Sequence, residues 1–221
     1  GRTETTSIKA PCVVKPCNED NSHGITFVKK DEDFDKALQY AFSFDDRVIV
    51  DEYIAGRELR VACVEEEDGS LTVLPMLEYF LEDIRTSAHK LKTNDDGKLD
   101  KNAVVAAKKD GDRKCPADVS PTLEARLGEM VKKAHRALKC RHYSLFDVRV
   151  NKDEQPFFLE ACLFCSFSPV SVIPSMSSHC KKEQLRHPNF FHSLLRRAAA
   201  EKPKSTSSSS GYAAVEAMRG A

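Results

Sequence analysis

Apolar residues recur along the chain at two spacings, one typical of strands and one typical of helices. Short apolar runs rich in β-branched residues predict strands at 11–16, 25–28, 47–53, 58–65 and 70–76. Apolar residues at helical spacing predict helices over 31–44, 121–139 and 190–200. Asp31 and Ser120 are the predicted N-caps of the first two helices. The stretch 163–176 has no clear period and receives no assignment.

Two further apolar runs, at 143–150 and 156–162, predict a β-hairpin. If Asn151 and Pro156 lie opposite each other at the turn, every later pair of the ladder is determined. Apolar residues occupy both faces of each run, which is typical of a sheet that is covered on both sides.

The predicted register places two carboxylates, Asp147 and Glu160, directly opposite each other. Like charges this close repel unless a cation lies between them. Mg²⁺ is a natural occupant, because it binds through one or two carboxylates and completes its coordination with water and substrate phosphates. The alternative is an ordinary hairpin whose carboxylates face solvent. On a covered face, however, buried carboxylates need a partner, which favours the metal site.

Composition narrows the class of protein. The 221 residues allow one large domain or two small ones, and 34 basic residues balance 34 acidic residues. Zero net charge argues against a nucleic-acid partner. No stretch approaches the ~20 apolar residues of a membrane span, and the first residues lack the apolar core of a signal peptide. We therefore expect a cytoplasmic protein that does not bind a membrane.

Eight cysteines are scattered through the predicted strands and loops. A cytoplasmic protein of this size does not need disulfides for stability, so we expect reduced thiols. A thiol or zinc protein remains an alternative, because Cys162 and Cys165 have ligand spacing and His179 and Cys180 follow them. A second pair at ligand spacing is missing from the sequence.

Several segments differ in composition from the predicted sheets. The polar, irregular stretch 94–114 is interpreted as a lid or insertion. The Ser-rich segment 202–221 cannot bury apolar area and is predicted to be disordered. Residues 1–10 form an N-terminal segment, and because the sequence does not begin with Met, we expect a piece of a longer chain.

The order of the polar motifs resembles the ATP-grasp superfamily, and within it the C-terminal part of D-alanine–D-alanine ligases. The motifs that carry the resemblance are Val13-Val14-Lys15-Pro16, the polar loop ending at Gly24, Val50-Asp51-Glu52-Tyr53-Ile54, Gly56-Arg57-Glu58, Asp147 and Leu159-Glu160-Ala161-Cys162. The resemblance implies an α+β fold of two subdomains, 11–56 and 57–201, whose mostly antiparallel sheets clasp a nucleotide. It spans about residues 11–176.

The resemblance also implies roles for individual residues toward ATP. Lys15 would contact the nucleotide phosphates, and Glu58 would accept hydrogen bonds from the ribose. Glu19 and Ser22 belong to the loop that would cover the transferred phosphate. The backbone at Asp51, Glu52, Tyr53 and Ile54 would contact the adenine. Lys90, as a second phosphate-binding lysine, and Ser171 are the candidate catalytic residues.

The metal site implied by the resemblance consists of Asp147, Glu160 and a third residue. That third residue is an asparagine in the family and Cys162 here, and a neutral thiol is a poor ligand for a hard cation such as Mg²⁺. The second metal position that the resemblance implies is therefore expected to be weaker or filled by water. The implied reaction joins two small amino-acid substrates. A carboxylate first takes the γ-phosphoryl group of ATP, and an amine then displaces phosphate.

Two departures from the family lie near the implied chemistry. Leu145 stands where the family has an oxyanion-binding arginine, for which Arg141 or Arg149 are candidate replacements, and Ser166 stands where the family has a glycine. The family's N-terminal domain is also missing from this sequence. These departures leave open a second interpretation, a catalytically degraded ATP-binding or regulatory module. A homodimer is possible in either case.

Overall fold

Two antiparallel sheets with helices packed on them form the part of the chain that the structure describes. This computed structural model describes residues 7–87, 112–162, 165–168 and 171–200. Most of the predicted lid at 94–114 and the whole predicted disordered tail at 202–221 lie outside these ranges.

The first sheet has the strand order β2-β1-β3 and lies near the N-terminus. Its strands are β1 (Cys12–Pro16), β2 (Thr26–Val28) and β3 (Val48–Glu52). Helix α1 (Phe34–Phe42) packs on one face, where Cys12, Val14 and Val28 meet Ala37 and Ala41. Because side chains alternate along a strand, the residues between these core positions point to the opposite face.

The second sheet has the strand order β7-β6-β4-β8-β9, with β5 paired to β4. Its strands are β4 (Arg57–Glu65), β5 (Leu71–Val73), β6 (Leu77–Tyr79), β7 (Arg113–Lys114), β8 (Tyr143–Val150) and β9 (Pro156–Cys162). Strands β4 and β8 are buried along most of their length and form the centre of the sheet.

Helices cover both faces of the central strands. Helix α2 (Pro121–Ala137) packs on one face, where Leu123, Leu127 and Val131 contact Leu59, Val61, Phe146 and Val148. Helices α3 (Val172–Ser178) and α4 (Asn189–Ala200) pack on the other face, where Ile173, Met176 and Phe190 contact Ala62, Val64 and Leu145. The end of this second face that α3 and α4 do not cover carries polar side chains.

The two predicted helix starts have different outcomes. Ser120 is the N-cap of α2, and its hydroxyl accepts a hydrogen bond from the Leu123 N–H over 3.1 Å, as predicted. Asp31 is not an N-cap, so that prediction is wrong. A single 3₁₀ turn, Asp31–Asp33, precedes α1, and the Asp31 carboxylate instead accepts the Ala10 N–H over 2.8 Å. A long-range partner therefore replaces the local one.

The β8–β9 hairpin confirms the central pair and corrects the turn. Asp147 lies directly opposite Glu160, as predicted, but the register shifts between Asp147 and Val148. Val150 consequently pairs with Pro156, so the expected pairing of Asn151 with Pro156 is wrong. The Asn151 N–H donates to the Gln155 carbonyl over 3.1 Å, and the extra residue is absorbed by a β-bulge in β9.

One further expectation fails, and one helix lies in a stretch that received no prediction. Strand β9 is an edge strand, and Phe157, Phe158 and Leu159 are 36–44% exposed, so the expected cover on both of its faces is absent from the described residues. Helix α3 lies in the unassigned stretch 163–176 and extends beyond it. With only seven residues and a central proline it is too short to show a helical period.

Of the helices in the described ranges, none has the length and apolar character needed to cross a bilayer.

Candidate functional site

A cleft of about 240 Å³ lies between the open face of the first sheet and the polar end of the second. It brings together residues from β1, β3, β4, β8 and β9, which are far apart along the chain. Ten of the predicted site residues line it: Lys15, Glu19, Ser22, Asp51, Glu52, Tyr53, Ile54, Glu58, Asp147 and Glu160.

Lys15 reaches the cleft from β1 and forms an ion pair there. Its Nζ lies 2.6 Å from the Asp51 carboxylate, and its side chain is 21% exposed. Lys15 pairs with Ile49 in the ladder, and Asp51 pairs with Val13, so the two charged residues are diagonal neighbours on one face. Asp51 therefore positions the ammonium group in the cleft, a role for its side chain that sequence reasoning missed.

The loop between β1 and β2 closes one side of the cleft. Asn21 and Ser22 have φ of 53° and 61°, and the His23 N–H donates to the Asp20 carbonyl over 3.1 Å, so the loop is a tight turn. Gly24 has a φ of 71°, and an added Cβ would lie 2.5 Å from the Pro16 Cγ. Only glycine fits this position without displacing β1. The turn holds the Ser22 hydroxyl at the cleft.

Arg149 binds the linker that joins the two sheets, residues 53–56. Its guanidinium donates to three carbonyl oxygens, those of Ile54 at 2.9 Å, Asp83 at 2.8 Å and Gly56 at 3.1 Å. It also lies 3.4 Å from the Glu58 carboxylate, and both side chains are buried. Arg149 is thus engaged by the linker and does not replace the arginine that the family carries at the position of Leu145.

The contacts of Arg149 with the linker and Glu58, which we call the linker clamp, were not predicted from the sequence. Arg149 lies two residues after Asp147 on the same strand and opposite Glu58 in the ladder. The sequence signal for this role was a charged residue within an otherwise buried strand, at a position that alternates with apolar residues. Its three carbonyl partners and Glu58 are 66 to 95 residues away in the chain, and no local pattern identifies them.

The carboxylate pair is joined by a third charged residue, Arg60. Arg60 lies directly opposite Asp147 in the β4–β8 ladder. Its Nε lies 2.5 Å from one Asp147 carboxylate oxygen, and its Nη2 donates to the other over 2.7 Å. Glu160, on the far side of Asp147, is exposed to the cleft. One positive side chain, Arg60, and two negative side chains, Asp147 and Glu160, therefore form one row across β4, β8 and β9.

These residues fit one divalent ion. Asp147 and Glu160 offer carboxylate oxygens from directly opposed positions, which suits Mg²⁺ when phosphate and water complete the coordination. Arg60 engages both oxygens of Asp147, so Glu160 is the more open ligand. Within the described ranges, no group of three His, Cys, Asp or Glu residues could hold a metal.

Cys162, the third predicted ligand, lies outside the set of residues that line the cleft. Its Sγ lies 3.3 Å from the Cys165 Sγ. The hydrogen bond to Cys162 and burial raise the pKa of the Cys165 thiol, which therefore stays protonated at neutral pH. All eight cysteines are free thiols.

The structure describes one of the two candidate catalytic residues, Ser171, and does not bring it into the cleft. Ser171 precedes α3 as its N-cap and does not line the cleft. Lys90 lies outside the described residues. Leu145, at the position of the family's arginine, is buried against α3 and α4.

Comparison with known proteins places this chain in a family. Residues 2–196 match the family described as "D-ala D-ala ligase C-terminus". The chain is 27% identical over 168 residues to a D-alanine–D-alanine ligase of Geobacter sulfurreducens, covering 76% of this chain and 47% of that protein. It is 29% identical over 162 residues to D-alanine–D-alanine ligase A of Mesorhizobium japonicum, covering 73% and 42%. The chain spans about half the length of the curated relatives it matches.

Solved structures show the same fold. The D-Ala:D-Ser ligase VanG from Enterococcus faecalis superposes with a TM-score of 0.65 at 22% identity, covering 86% of this chain and 50% of that chain. The D-alanine–D-alanine ligase of Bacillus anthracis complexed with ATP superposes with a TM-score of 0.59 at 18% identity, covering 87% and 54%. The predicted α+β ATP-grasp fold is confirmed, and the chain belongs to the D-alanine–D-alanine ligase C-terminal family.

Proposed function

We propose that this chain is the nucleotide- and metal-binding part of an ATP- and Mg²⁺-dependent carboxylate–amine ligase similar to D-alanine–D-alanine ligase. One observation carries the proposal: Lys15, Glu58, Asp147 and Glu160, from four different strands, line a single cleft between the two sheets. A cation and three carboxylates converging on a cleft of this kind suit a polyphosphate bound with a divalent ion.

The nucleotide lies along the linker in this proposal. The adenine contacts the backbone at 51–54, which Arg149 holds in place through the Ile54 carbonyl. Glu58, fixed by Arg149, accepts the ribose hydroxyls. Lys15 places a positive charge on the phosphates, and the turn that carries Ser22 covers them.

Asp147 and Glu160 would hold the Mg²⁺ or Mn²⁺ that accompanies ATP. When bound, the metal would neutralise charge on the phosphates. The residues of this chain contribute positioning and charge, and none of the residues described in the cleft is assigned as a general base. Catalysis of this kind depends mainly on bringing the reactants together in the correct orientation.

The proposed reaction joins two small amino acids. A carboxylate oxygen of the first substrate bonds to the γ-phosphorus of ATP, and the bond to the bridging oxygen breaks to release ADP. The amine of the second substrate then bonds to the acyl carbon, phosphate leaves, and the amine loses a proton. Lys90, as a second phosphate-binding lysine, and Ser171, although it lies outside the cleft lining, are the proposed catalytic residues. The remaining substrate contacts are assigned to the part of the relatives that this chain does not span.

Calorimetric titration of a non-hydrolysable ATP analogue, with and without Mg²⁺, tests the nucleotide site. We expect Mg²⁺-dependent binding that Glu160→Gln weakens about tenfold, because a neutral amide is a weaker ligand. Glu124→Gln, an exposed change on α2, is the matched control and should bind like the wild type. A folded wild-type chain that binds no nucleotide contradicts the proposal. Binding without phosphoryl transfer in a chain that includes the missing region would instead favour a degraded ATP-binding module.

Location and assembly are further parts of the proposal. We propose that the protein is cytoplasmic and, as the resemblance to the family implies, forms a homodimer. Cell fractionation and the molar mass of the complete protein in solution test these two statements. A membrane-bound or strictly monomeric protein contradicts the corresponding one.

A further inference from the structure

Arg60 places a permanent positive charge directly beside the carboxylate pair. Its two nitrogens lie 2.5 and 2.7 Å from the two oxygens of Asp147, and the side chains are 11% and 7% exposed. The Nη2 contact is a charge-assisted hydrogen bond, and the Nε contact is an ion pair at close distance without hydrogen-bond geometry. Asp147 is therefore already partly neutralised before any metal binds.

Arg60 acts on the cleft through Asp147. It lies beside Asp147 in the β4–β8 ladder, outside the set of residues that line the cleft. A guanidinium keeps its positive charge across the ordinary pH range. Arg60 therefore presents a fixed positive charge next to Asp147, and Glu160 follows Asp147 in the same row.

The carboxylate pair lacks a third oxygen ligand from position 162. Cys162, opposite Leu145, supplies a thiol that contacts the Cys165 thiol at 3.3 Å. A neutral thiol does not suit a hard cation such as Mg²⁺. Two carboxylates and one guanidinium carry a net charge of minus one, which a single divalent ion already reverses. A second divalent ion would be repelled by both the first ion and Arg60.

We propose that Arg60 is a positioning residue that takes the place of a second metal ion, so that the site binds one divalent ion per nucleotide. This inference rests on the proposed nucleotide site. Arg60 holds Asp147 in one orientation, and Asp147 and Glu160 then share a single ion with the phosphates.

Counting bound Mn²⁺ tests the inference. The 221-residue chain is saturated with the non-hydrolysable analogue adenylyl imidodiphosphate, and bound Mn²⁺ is measured by electron paramagnetic resonance. We expect one Mn²⁺ per bound nucleotide in the wild type. Arg60→Met combined with Cys162→Asn should bind a second Mn²⁺, because the competing charge is gone and an amide oxygen replaces the thiol. Arg57→Met removes an arginine from the opposite face of the same strand, where it pairs with Glu78, and should still bind one.

The single variant Cys162→Asn keeps the test decisive if the double variant does not fold. It supplies an oxygen ligand next to the pair while Arg60 remains. We expect it to bind one Mn²⁺, since the charge of Arg60 still excludes the second ion. Two Mn²⁺ in the wild type or in Cys162→Asn, or one in the folded double variant, overturns the role of Arg60 and leaves the nucleotide site standing. Absence of nucleotide binding, with or without Mn²⁺, overturns the proposed function and this inference together.

Discussion

The Arg149 side chain donates to the Ile54 carbonyl oxygen over 2.9 Å and thereby ties the second sheet to the linker. The same guanidinium contacts the carbonyls of Gly56 and Asp83 and the carboxylate of Glu58. One buried side chain thus holds the backbone that we assign to the adenine and the carboxylate that we assign to the ribose.

Arg149→Met should lower the free energy of unfolding by about 3–5 kcal/mol, because Glu58 is left buried without its charged partner. Urea denaturation measures the change. Arg47→Met is the matched control, since Arg47 is 67% exposed in its ion pair, and it should cost less than about 1 kcal/mol. Equal losses in the two variants would show that the linker clamp contributes nothing to stability.

Lys15→Met should weaken binding of the ATP analogue by about tenfold to a hundredfold, because a charged contact to phosphate contributes about 1.5–3 kcal/mol. Its effect on stability should be small, since the Asp51 carboxylate that remains is 44% exposed. Calorimetry gives the affinity. Lys30→Met removes a lysine from the exposed pair with Glu32 and should bind nucleotide normally. An unchanged affinity in Lys15→Met would remove Lys15 from the phosphate site.

Gly56→Ala should be strongly destabilising, because the backbone carbonyl of Val150 blocks the added methyl group. The φ of Gly56 is 138°, and a Cβ would lie 2.1 Å from the Val150 oxygen. Gly69→Ala is the matched control, with a φ of 78° and open space around the Cβ, and should cost only about 1–2 kcal/mol. Thermal and urea unfolding should show Gly56→Ala losing at least about 2 kcal/mol more. Similar losses would mean that β8 moves away freely.

His135 should make stability depend on pH. It is 3% exposed, and its Nδ1 lies 2.8 Å from the Ser144 hydroxyl. Burial lowers its pKa, an effect that Glu65 opposes and Arg136 reinforces. The unfolded chain, with a histidine pKa of about 6.5, therefore binds a proton more readily than the folded chain. Stability should fall as the pH drops through about 6.5 toward the lower folded value.

Urea midpoints measured between neutral and mildly acidic pH test the role of His135. His135→Gln should flatten the profile in this window, whereas His192→Gln, a change at an exposed histidine on α4, should not. A wild-type slope that persists in His135→Gln would assign the pH dependence to other groups.

Local patterns predicted most strands and the longest helix. The strands β1, β3, β4 and β8 follow from contiguous apolar residues, and the start of α2 follows from Ser120, because each depends on neighbours in the chain. The pairing of Asp147 with Glu160 was predicted correctly although the assumed turn pair, Asn151 with Pro156, is wrong, because the bulge at Leu159 offsets the one-residue error. The bulge itself was not predictable, because it depends on how β9 fits an edge of the sheet.

The sequence by itself determined the order of the strands along the chain, the hairpin that opposes the two carboxylates, and the resemblance to the family. These features rest on residue types and spacings that are close together in the chain. Only the tertiary structure decided which partners Arg60 and Arg149 take, because Asp147 and the Ile54 carbonyl are 87 and 95 residues away from them. Charged side chains in a buried sheet pair with whatever lies across the ladder, and that neighbour is set by the packing of the whole sheet.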